Sequence, residues 1–406
     1  MKVLLFESSM AGHRAVYASQ IVRECSTLPI EFILAMTDKA ADSEEYKLTV
    51  APLAKHFELD SNYRWRAASV KHVPKQAVGH LREALERHKP DHVYLPWGDG
   101  VGHFLGLRHL TGRRTWPGDV EVEAICHRCR LAYPTRGLAA KVKNFAQRQS
   151  LTAANFTRYH FVDVIEYELW RRWLGGEQVR MLPDPVDGDQ GISKSAAREQ
   201  LGIPGDRRYV STVGAVNVKK GCLAAIEALG RGDVDDDVCL LFVGRQDDAV
   251  RQALAGDYRW LLEQSRVFSI DRYVTLDELN LGLAAADLIY IGYEDHVGIS
   301  SIVLRAAAAG RPVLVAPFYW AQRIVPQFDL GTIASTRQPE AFASALRNAI
   351  DDAQSWQPSA SGTQLVRFHA TNNFGANLTR RLRERLGLDP AEGLIEWDDV
   401  DARSRS

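Results

Sequence analysis

The sequence predicts an α/β protein made of two doubly wound parallel-sheet units that face each other across a cleft. Short apolar runs alternate with segments of helical apolar spacing, which is typical of parallel strands joined by crossover helices. The alternation stops once, at the Pro-, Asp- and Gly-rich stretch "VRMLPDPVDGDQG" (179–191), and then begins again. A chain of 406 residues is also too long for one ordinary domain.

The first unit is predicted to start with the strand "KVLLF", the loop "ESSMAGH" and the helix "RAVYASQIVREC". The later strands are predicted at "IEFILAM", "DHVYLPW", "VEVEAICH" and "YHFVDV". The later helices are predicted at "VGHLREALERHK" and "IEYELWRRWLG". Each predicted strand is a short apolar run, and each predicted helix carries apolar residues three or four positions apart.

The second unit repeats this pattern after the interruption. Its strands are predicted at "RRYVSTVGA", "VCLLFVGR", "IYIGY" and "PVLVAP". Its helices are predicted at "CLAAIEALGRG", "LNLGLAAADL", "IVLRAAAAG" and "QPEAFASALRNAIDDA". We therefore predict domains at 1–184 and 185–365, helices at 366–388 that pack back towards the first domain, and a frayed tail at 389–406.

Composition excludes several classes of protein. The chain is 46% hydrophobic and 25% charged, which is typical of a globular protein and excludes global disorder. No apolar run is long enough to span a membrane, and "MKVLLFESSMAGHR" reads as a first strand rather than a secretory signal, so we expect a cytoplasmic protein. The net charge of −1 indicates that nucleic acid is not the partner.

The charge and the cysteines carry further information. Residues 1–186 hold 26 Lys and Arg against 21 Asp and Glu, whereas residues 187–406 hold 24 against 30, so the two units should present different surfaces. Five widely spaced cysteines are typical of reduced thiols. Cys126 and Cys129 form a CxxC motif, either as half-buried thiols at a strand end or as a metal or redox pair, and no second pair stands at zinc spacing.

Three loops that follow predicted strands are candidate anion sites. Gly12 opens the first helix, and a glycine there lets backbone N–H groups approach a ligand. In "VGAVNVKKG", Gly214 ends a strand and Lys220 precedes a helix, where an ammonium group suits a phosphate. In "EDHVGISS", Gly298, Ser300 and Ser301 lead into an alanine-rich helix. Each loop also has a purely structural interpretation. The Gly12 loop could be a tight turn, the lysines of the second loop could be solvated, and the serines of the third could form an ordinary helix N-cap.

Together these pieces resemble retaining glycosyltransferases of the GT-B fold, in particular family 4. The matching pieces are "AICH", "MLPDPVD", "VGAVNVKKG", "LLFVGR", "LNLGLAAADLIYIGY" and "SSIVLRAAAAGRPVL", in the order and spacing of the family. The resemblance spans roughly residues 1–385 and implies two Rossmann-like domains. The sequence departs from it at Ala215, where the family has an arginine, and at Val297 and Arg305, where it has two glutamates.

The resemblance implies retaining, metal-independent transfer of a sugar from a nucleotide-sugar, with no further cofactor. The C-terminal unit would hold the donor through Gly214, Lys220 and the Ser300–Ser301 helix start, and the N-terminal unit would hold a saccharide or lipid-linked acceptor. His127 would contact the sugar ring or the acceptor; its alternative is a hydrogen-bonded histidine at a strand end. Either Glu294 or His296 is a candidate replacement for the first lost glutamate, and Arg305 is a candidate phosphate ligand.

Two further features keep alternatives open. Asp99 in "PWGDGVGH" either orients the acceptor, or acts as a base, or caps the next helix. The basic amphipathic segment 136–151 either lies on an anionic membrane or is an ordinary surface helix. Because of the lost glutamates, the chain could also be a non-catalytic nucleotide-binding scaffold, or a GT-B epimerase or phosphorylase.

Overall fold

A computed structural model describes residues 1–11, 13–66, 73–113, 115–127, 129–186 and 191–404. Within these residues the chain forms two compact units. Unit 1 consists of Met1–Pro185 and Thr371–Glu396, and unit 2 consists of Val186–Ala370 together with the segment from Trp397 onward. Each unit is built around its own parallel sheet.

Unit 1 contains a seven-stranded sheet in the order β3-β2-β1-β4-β5-β6-β7. Its strands are β1 (Lys2–Glu7), β2 (Glu31–Thr37), β3 (Glu58–Tyr63), β4 (His92–Leu95), β5 (Glu121–Cys126), β6 (Arg158–Phe161) and β7 (Val179–Met181). Every described pairing in it is parallel. The central strands are continuously buried, which explains why they read as apolar runs.

Helices cover this sheet. They are α1 (His13–Cys25), α2 (Asp38–Ala41), α3 (Glu44–Thr49), α4 (Val73–His88), α5 (Gly98–Leu110), α6 (Leu138–Ala153), α7 (Val164–Leu174) and α17 (Thr371–Arg385). α17 buries Leu378 and Leu382. The hydroxyl of Tyr94 in β4 donates to the carbonyl oxygen of Leu378 at 3.2 Å, and Arg381 donates twice to Glu121, at 2.7 and 3.0 Å. These contacts fix α17 on the sheet of unit 1.

Unit 2 contains a six-stranded parallel sheet in the order β10-β9-β8-β11-β12-β13. Its strands are β8 (Arg208–Val213), β9 (Val238–Val243), β10 (Val267–Ile270), β11 (Leu288–Ile291), β12 (Val313–Val315) and β13 (Gly331–Ile333). Its helices are α8 (Lys194–Leu201), α9 (Cys222–Gly230), α10 (Asp248–Ala255), α11 (Arg259–Glu263), α12 (Leu276–Ala285), α13 (Ser301–Ala308), α14 (Tyr319–Gln327), α15 (Pro339–Asp352), α16 (Ala360–His369) and α18 (Trp397–Ser404).

Sequence patterns found the central strands but not the edge strands. β3 and β10 each have a single neighbour, and their side chains alternate between exposed and buried, so neither forms an apolar run. The sequence predicts that the whole stretch 179–191 is a boundary, but its first residues form β7, which pairs with β6. A three-residue strand is too short to show a period of two.

The domain limits also differ from the prediction. The first division follows Pro185. Residues 366–370, the end of α16 and its C-cap Ala370, stay in unit 2, and residues 371–396 belong to unit 1. The tail from 389 is not frayed throughout, because α18 buries Trp397, whose ring lies 5.3 Å from Phe368 and 6.0 Å from Phe328. The polar sequence of this helix does not reveal the aromatic cluster that holds it.

Thirteen-residue and longer helices occur, but none of the described helices has the length and apolar character needed to cross a bilayer. Burial raises the pKa of the Cys126 and Cys129 thiols. All five cysteines are free and buried. Among the described residues, no group of three or more His, Cys, Asp or Glu side chains is arranged to hold a metal ion.

A buried carboxylate joins three strands of unit 1. Glu123 in β5 lies 2.5 Å from Nε2 of His160 in β6 and 3.2 Å from Nε2 of His92 in β4. All three side chains are about 1% exposed or less. Burial by itself would raise the pKa of Glu123, but the hydrogen bond with His160 and the nearby His92 imidazole hold it well below its ordinary value. The carboxylate is therefore a structural element of the sheet interior.

We predict that Glu123→Gln lowers the free energy of unfolding by about 3–5 kcal/mol, because it removes the charged partner of two buried imidazoles. Equilibrium urea unfolding followed by tryptophan fluorescence measures this change. Glu58→Gln, on an exposed position of β3, is the matched control and should change little. Because the pKa of Glu123 is lowered by folding, its contribution is present above about pH 4.3 and disappears as the pH falls below that value. A difference between wild type and Glu123→Gln that persists undiminished in acid would contradict this assignment.

Candidate functional site

The strand order of unit 2 reverses between β8 and β11. From β8 the chain continues outward to β9 and β10, and from β11 it continues to β12 and β13 on the other side. β8 and β11 are parallel neighbours, so their carboxyl ends lie at the same edge of the sheet. Ligands of doubly wound sheets bind at such a reversal. Both loops singled out in the C-terminal half, 214–221 and 292–300, start at this point.

Lys220 is a buried lysine, not a solvated one. The residue is 7% exposed, and its ammonium donates to the carbonyl oxygen of Val213 at 2.6 Å. Gly214 is close by, since a Cβ there would lie 3.4 Å from Nζ of Lys220. Burial lowers the pKa of Lys220 to about 8. The interpretation of these lysines as solvated side chains is therefore correct for the exposed Lys219 and wrong for Lys220.

The two loops are joined through their backbones. The N–H of Gly292, which follows β11, donates to the carbonyl oxygen of Lys220 at 2.9 Å. The hydroxyl of Tyr290 donates to the carbonyl oxygen of Gly221 at 3.1 Å. Gly221 has a φ of +72°, and a Cβ there would lie 2.4 Å from the Tyr290 hydroxyl and 2.9 Å from Cα of Gly292. Only glycine fits this contact, so the Lys220 segment is held against the end of β11.

The start of α13 lacks the cap that the sequence predicts. Ser300 stands at the N-cap position and is 5% exposed, but within the described chain its side chain makes no capping hydrogen bond. Ser301 is the first helical residue, and Gly298 in the preceding loop has a φ of +100°. His296, the other candidate in this loop, has Nε2 2.9 Å from the carbonyl oxygen of Ile299. First-turn N–H groups without a side-chain cap favour an anion.

Arg305 lies on the same helix one turn further. It is four residues after Ser301, so the two share one face, and helical side chains point towards the N-terminus. Its Nη1 is buried and makes no hydrogen bond to any residue that the structure describes. Burying a guanidinium nitrogen without a hydrogen-bond partner costs free energy. An anion bound at the helix start could accept that hydrogen bond and remove the cost.

Glu294 is bound to its own chain. Its Oε1 accepts hydrogen bonds from the hydroxyls of Ser335 and Thr336 at 2.9 and 2.8 Å, and Oε2 lies 3.4 Å from Nε of Arg337. Burial by itself would raise the pKa of Glu294, but the hydrogen bonds from Thr336 and Ser335 hold it below its ordinary value. The carboxylate anchors the loop after β11 to the loop after β13. If Glu294 also binds a ligand, the ligand must compete with these hydrogen bonds for the carboxylate.

In unit 1, Asp99 lies at the corresponding reversal, beyond the end of β4. The N-cap residue of α5 is Trp97, so Asp99 belongs to the first turn and the interpretation of Asp99 as the helix cap is wrong. Asp99 is 9% exposed. Gly12, the candidate in the loop after β1, lies outside the described residues.

His127 follows β5, next to β4 in the sheet. Its Nε2 lies 3.0 Å from the carbonyl oxygen of Pro96, and its ring packs edge-on against Tyr17 with centroids 4.6 Å apart. The Tyr17 hydroxyl in turn donates to Asp184 at 2.7 Å. His127 and Asp99 therefore sit at one edge of the sheet of unit 1, held by neighbouring strands.

Sequence reasoning missed several residues at these edges. Asn217 accepts a hydrogen bond from the N–H of Lys220 at 3.0 Å and so shapes the turn that presents it; an Asn three residues before the lysine was the available signal. Glu7 ends β1 and is 1% exposed, and its Oε1 accepts from Arg14 at 3.2 Å. The Arg14 guanidinium lies 3.8 Å above the Trp97 ring. No motif marks this cluster, because its members are distant in sequence.

We predict that Gly221→Ala destabilises the protein more than Gly232→Ala does. Both glycines have a φ of +72°, so both variants carry the same backbone strain. Only Gly221 also meets Tyr290 and Gly292, whereas nothing lies within 4 Å of a Cβ at Gly232. Gly221→Ala should lower the free energy of unfolding by about 1–3 kcal/mol more than the control, as measured by urea unfolding. Equal losses in the two variants would show that the loops are not packed as described.

Comparisons with known proteins give a family match that lies within unit 2. Residues 207–352 match the family model described as "Glycosyl transferases group 1", which is less than half of the chain. The D-inositol 3-phosphate glycosyltransferase of Corynebacterium glutamicum (strain R) is 26% identical over 163 residues, which span 38% of this chain and 38% of that protein.

Solved structures resemble the chain over nearly its whole length. Sucrose-phosphate synthase from Thermosynechococcus elongatus superposes with a TM-score of 0.69 at 15% identity, covering 95% of this chain and 99% of that one. Anabaena HepE in complex with UDP-glucose superposes with a TM-score of 0.65 at 15% identity, covering 95% and 100%. At these identities the likeness shows the fold. The predicted fold class, two Rossmann-like parallel-sheet domains of the GT-B kind, is confirmed.

Proposed function

We propose that the protein is a glycosyltransferase that takes its sugar from a nucleotide-sugar bound by unit 2. The observation that carries the proposal is the buried Lys220 ammonium at the carboxyl end of β8, held by backbone bonds against the end of β11. The α13 start without a serine cap and the unpaired Nη1 of Arg305 follow the same strand. The group 1 family match in unit 2 and the likeness to HepE, solved with UDP-glucose, support it.

The positive groups of unit 2 suit the chemistry of the leaving group. When the bond between the sugar and the nucleotide breaks, negative charge accumulates on the departing diphosphate. Lys220, Arg305 and the first-turn N–H groups of α13 would stabilise that charge in place before the reaction, without a metal ion or further cofactor. Retention of configuration at the sugar is what the resemblance to family 4 implies, and it forms part of the proposal.

Unit 1 would receive the acceptor, a saccharide or a lipid-linked saccharide. The side chains proposed for it are His127 and Asp99, which lie at the carboxyl ends of the neighbouring strands β5 and β4. His127 is oriented by the Pro96 carbonyl and the Tyr17 ring, so it would present one fixed face to the sugar or the acceptor. Asp99 would accept a hydrogen bond from an acceptor hydroxyl.

Incubation with UDP-, GDP-, ADP- and dTDP-sugars, followed by an assay for the released nucleoside diphosphate, tests the proposal. Release with one of the donors supports transfer or hydrolysis. Binding without release would favour a nucleotide-binding scaffold, which the losses at Ala215, Val297 and Arg305 make the second candidate. Turnover that requires inorganic phosphate would indicate a phosphorylase, and interconversion of two nucleotide-sugars without release would indicate an epimerase. The transferase proposal fails if no nucleotide is bound or released.

Lys220→Ala should weaken binding of UDP, or of whichever nucleoside diphosphate binds best, by about 1.5–3 kcal/mol. This is the loss expected for a hydrogen bond to a charged group. Lys219→Ala is the matched control, since the neighbouring lysine is exposed and should change the affinity little. Isothermal titration calorimetry measures both affinities. Equal affinity in wild type and Lys220→Ala would refute the role of this lysine.

The affinity for the diphosphate should fall as the pH rises through about 8. Burial lowers the pKa of Lys220 to that value, so the ammonium loses its proton, and its attraction for the phosphates, over this range. Titrations from neutral pH to about pH 9 measure the dependence. The Lys220→Ala variant provides the control, since its affinity should stay flat over the same range. A wild-type profile as flat as that of the variant would count against the assignment.

We also propose that unit 1 docks on an anionic membrane through α6. Leu138, Val142 and Phe145 are 79%, 59% and 54% exposed, and their spacing places them on one face of the helix. The exposed Lys141 and Lys143 lie in the same helix. No acidic residue stands between Glu123 and Asp163, a stretch that holds seven Lys and Arg. An apolar row on a helix within such a basic stretch of the chain suits lipid headgroups of negative charge.

Val142→Glu combined with Phe145→Glu should reduce co-sedimentation with phosphatidylserine-containing vesicles by about tenfold or more, because each apolar side chain buried in lipid contributes roughly 1–2 kcal/mol. Leu48→Glu, which changes a leucine that is 72% exposed on α3, is the control and should bind like wild type. Vesicles of phosphatidylcholine alone test the charge requirement. Wild-type protein that sediments with neither vesicle would show that α6 is an ordinary surface helix.

A further inference from the structure

Unit 1 contains a cavity that neither the candidate site nor the membrane surface uses. Its volume is about 520 Å³, within the range of small-molecule sites. It is lined by His109, Trp116, Pro117, Gly118, Val120, Ala153, Asn155, Phe156, Thr157 and Gln178.

The cavity lies at the opposite edge of the sheet from the candidate site. Val120, Thr157 and Gln178 each directly precede a strand, β5, β6 and β7, which are neighbours in the sheet. They therefore mark the amino ends of these strands, whereas Asp99 and His127 follow the carboxyl ends of β4 and β5. The length of the strands separates the two places, so the cavity is a site of its own.

The aromatic wall of the cavity is fixed by its own packing. Trp116 stacks on Phe156 with ring centroids 5.7 Å apart, and it meets the edge of His109 at 5.0 Å. The N–H of Thr115 donates to Nε2 of His109 at 3.1 Å, so Nε2 carries no proton. The proton is then on Nδ1, 3.0 Å from the carbonyl oxygen of Ala153. These bonds fix the orientation of the imidazole in the wall of the cavity.

The described lining offers hydrogen bonds but no charge. None of its residues is Lys, Arg, Asp or Glu. The side-chain amides of Asn155 and Gln178 form no hydrogen bond with any described residue. The hydroxyl oxygen of Thr157 accepts from the N–H of Val122 at 3.0 Å, which leaves its proton to donate. A side-chain amide can donate and accept hydrogen bonds at the same time. A hydroxyl group can also do both, so the two kinds of group pair well.

We propose that this cavity is a binding site for an uncharged saccharide of about one or two rings. Its volume fits such a ligand, its free amides and hydroxyl match sugar hydroxyl groups, and its aromatic wall can cover the apolar C–H faces of a ring. The absence of charged groups among the described lining residues disfavours phosphates and nucleotides. The site does not depend on the proposed transfer reaction, because it shares no described residue with that site.

The test uses saturation-transfer NMR titrations of the full chain with glucose, galactose, mannose, N-acetylglucosamine, maltose and lactose, with uridine as the non-saccharide probe. Wild type should bind at least one of the saccharides. Asn155→Gly combined with Gln178→Leu should weaken that binding about tenfold or more, as expected for two lost neutral hydrogen bonds. Asn155 has a φ of +54°, which glycine adopts readily, so Asn155→Gly by itself removes an amide without straining the fold.

Two controls separate this site from the one in unit 2. Lys220→Ala should leave saccharide binding unchanged, and the Asn155→Gly, Gln178→Leu variant should leave nucleoside diphosphate affinity unchanged. The proposal is overturned if no saccharide binds, if the cavity variants bind as well as wild type, if Lys220→Ala abolishes the binding, or if uridine binds and the saccharides do not. A thermal melting curve for each variant shows that a lost signal is not a lost fold.

Discussion

The buried ammonium of Lys220, hydrogen-bonded to the carbonyl oxygen of Val213, is the interaction on which the candidate site of unit 2 depends. An amino group removed from water needs a fixed acceptor, and the end of β8 supplies it. The left-handed Gly214 and Gly221 bracket the turn, and Gly292 closes on it from β11. The charge is thereby held at the reversal point of the sheet before any ligand arrives, which is what electrostatic stabilisation of a leaving group requires.

Around this lysine, the distribution of charge differs from that of the family that the sequence resembles. Glu294 gives its carboxylate to Ser335, Thr336 and Arg337, so it is bound within the protein. Arg305 stands where the family has a glutamate, and its Nη1 is buried without a partner among the described residues. An arginine in place of that glutamate makes the start of α13 more attractive to anions. This arrangement suits the phosphate groups of the proposed nucleotide-sugar.

Three features lie at different positions along the strands of the sheet of unit 1. Its interior holds the buried carboxylate of Glu123 with the imidazoles of His92 and His160. Its carboxyl edge presents Asp99 and His127, and its amino edge opens into the neutral cavity. The separation follows from parallel topology, because every strand delivers its carboxyl end to the same side. Arg381 of α17 donates to Glu121 at the start of β5, which ties the helix to the sheet.

The sequence by itself determined the two-domain α/β fold, the central strands and the loops at both strand reversals, because buried parallel strands must be apolar and helix starts must follow them. Only the tertiary structure decided that Lys220 is buried while Lys219 is exposed, since adjacent lysines are equivalent until packing distinguishes them. It also decided the partners of Glu294, which lie 41 and 42 residues away, the edge strands β3 and β10, and the walls of the cavity. Local sequence patterns reflect secondary structure and the spacing of apolar residues. Burial and long-range partners are set only when distant segments of the chain pack together.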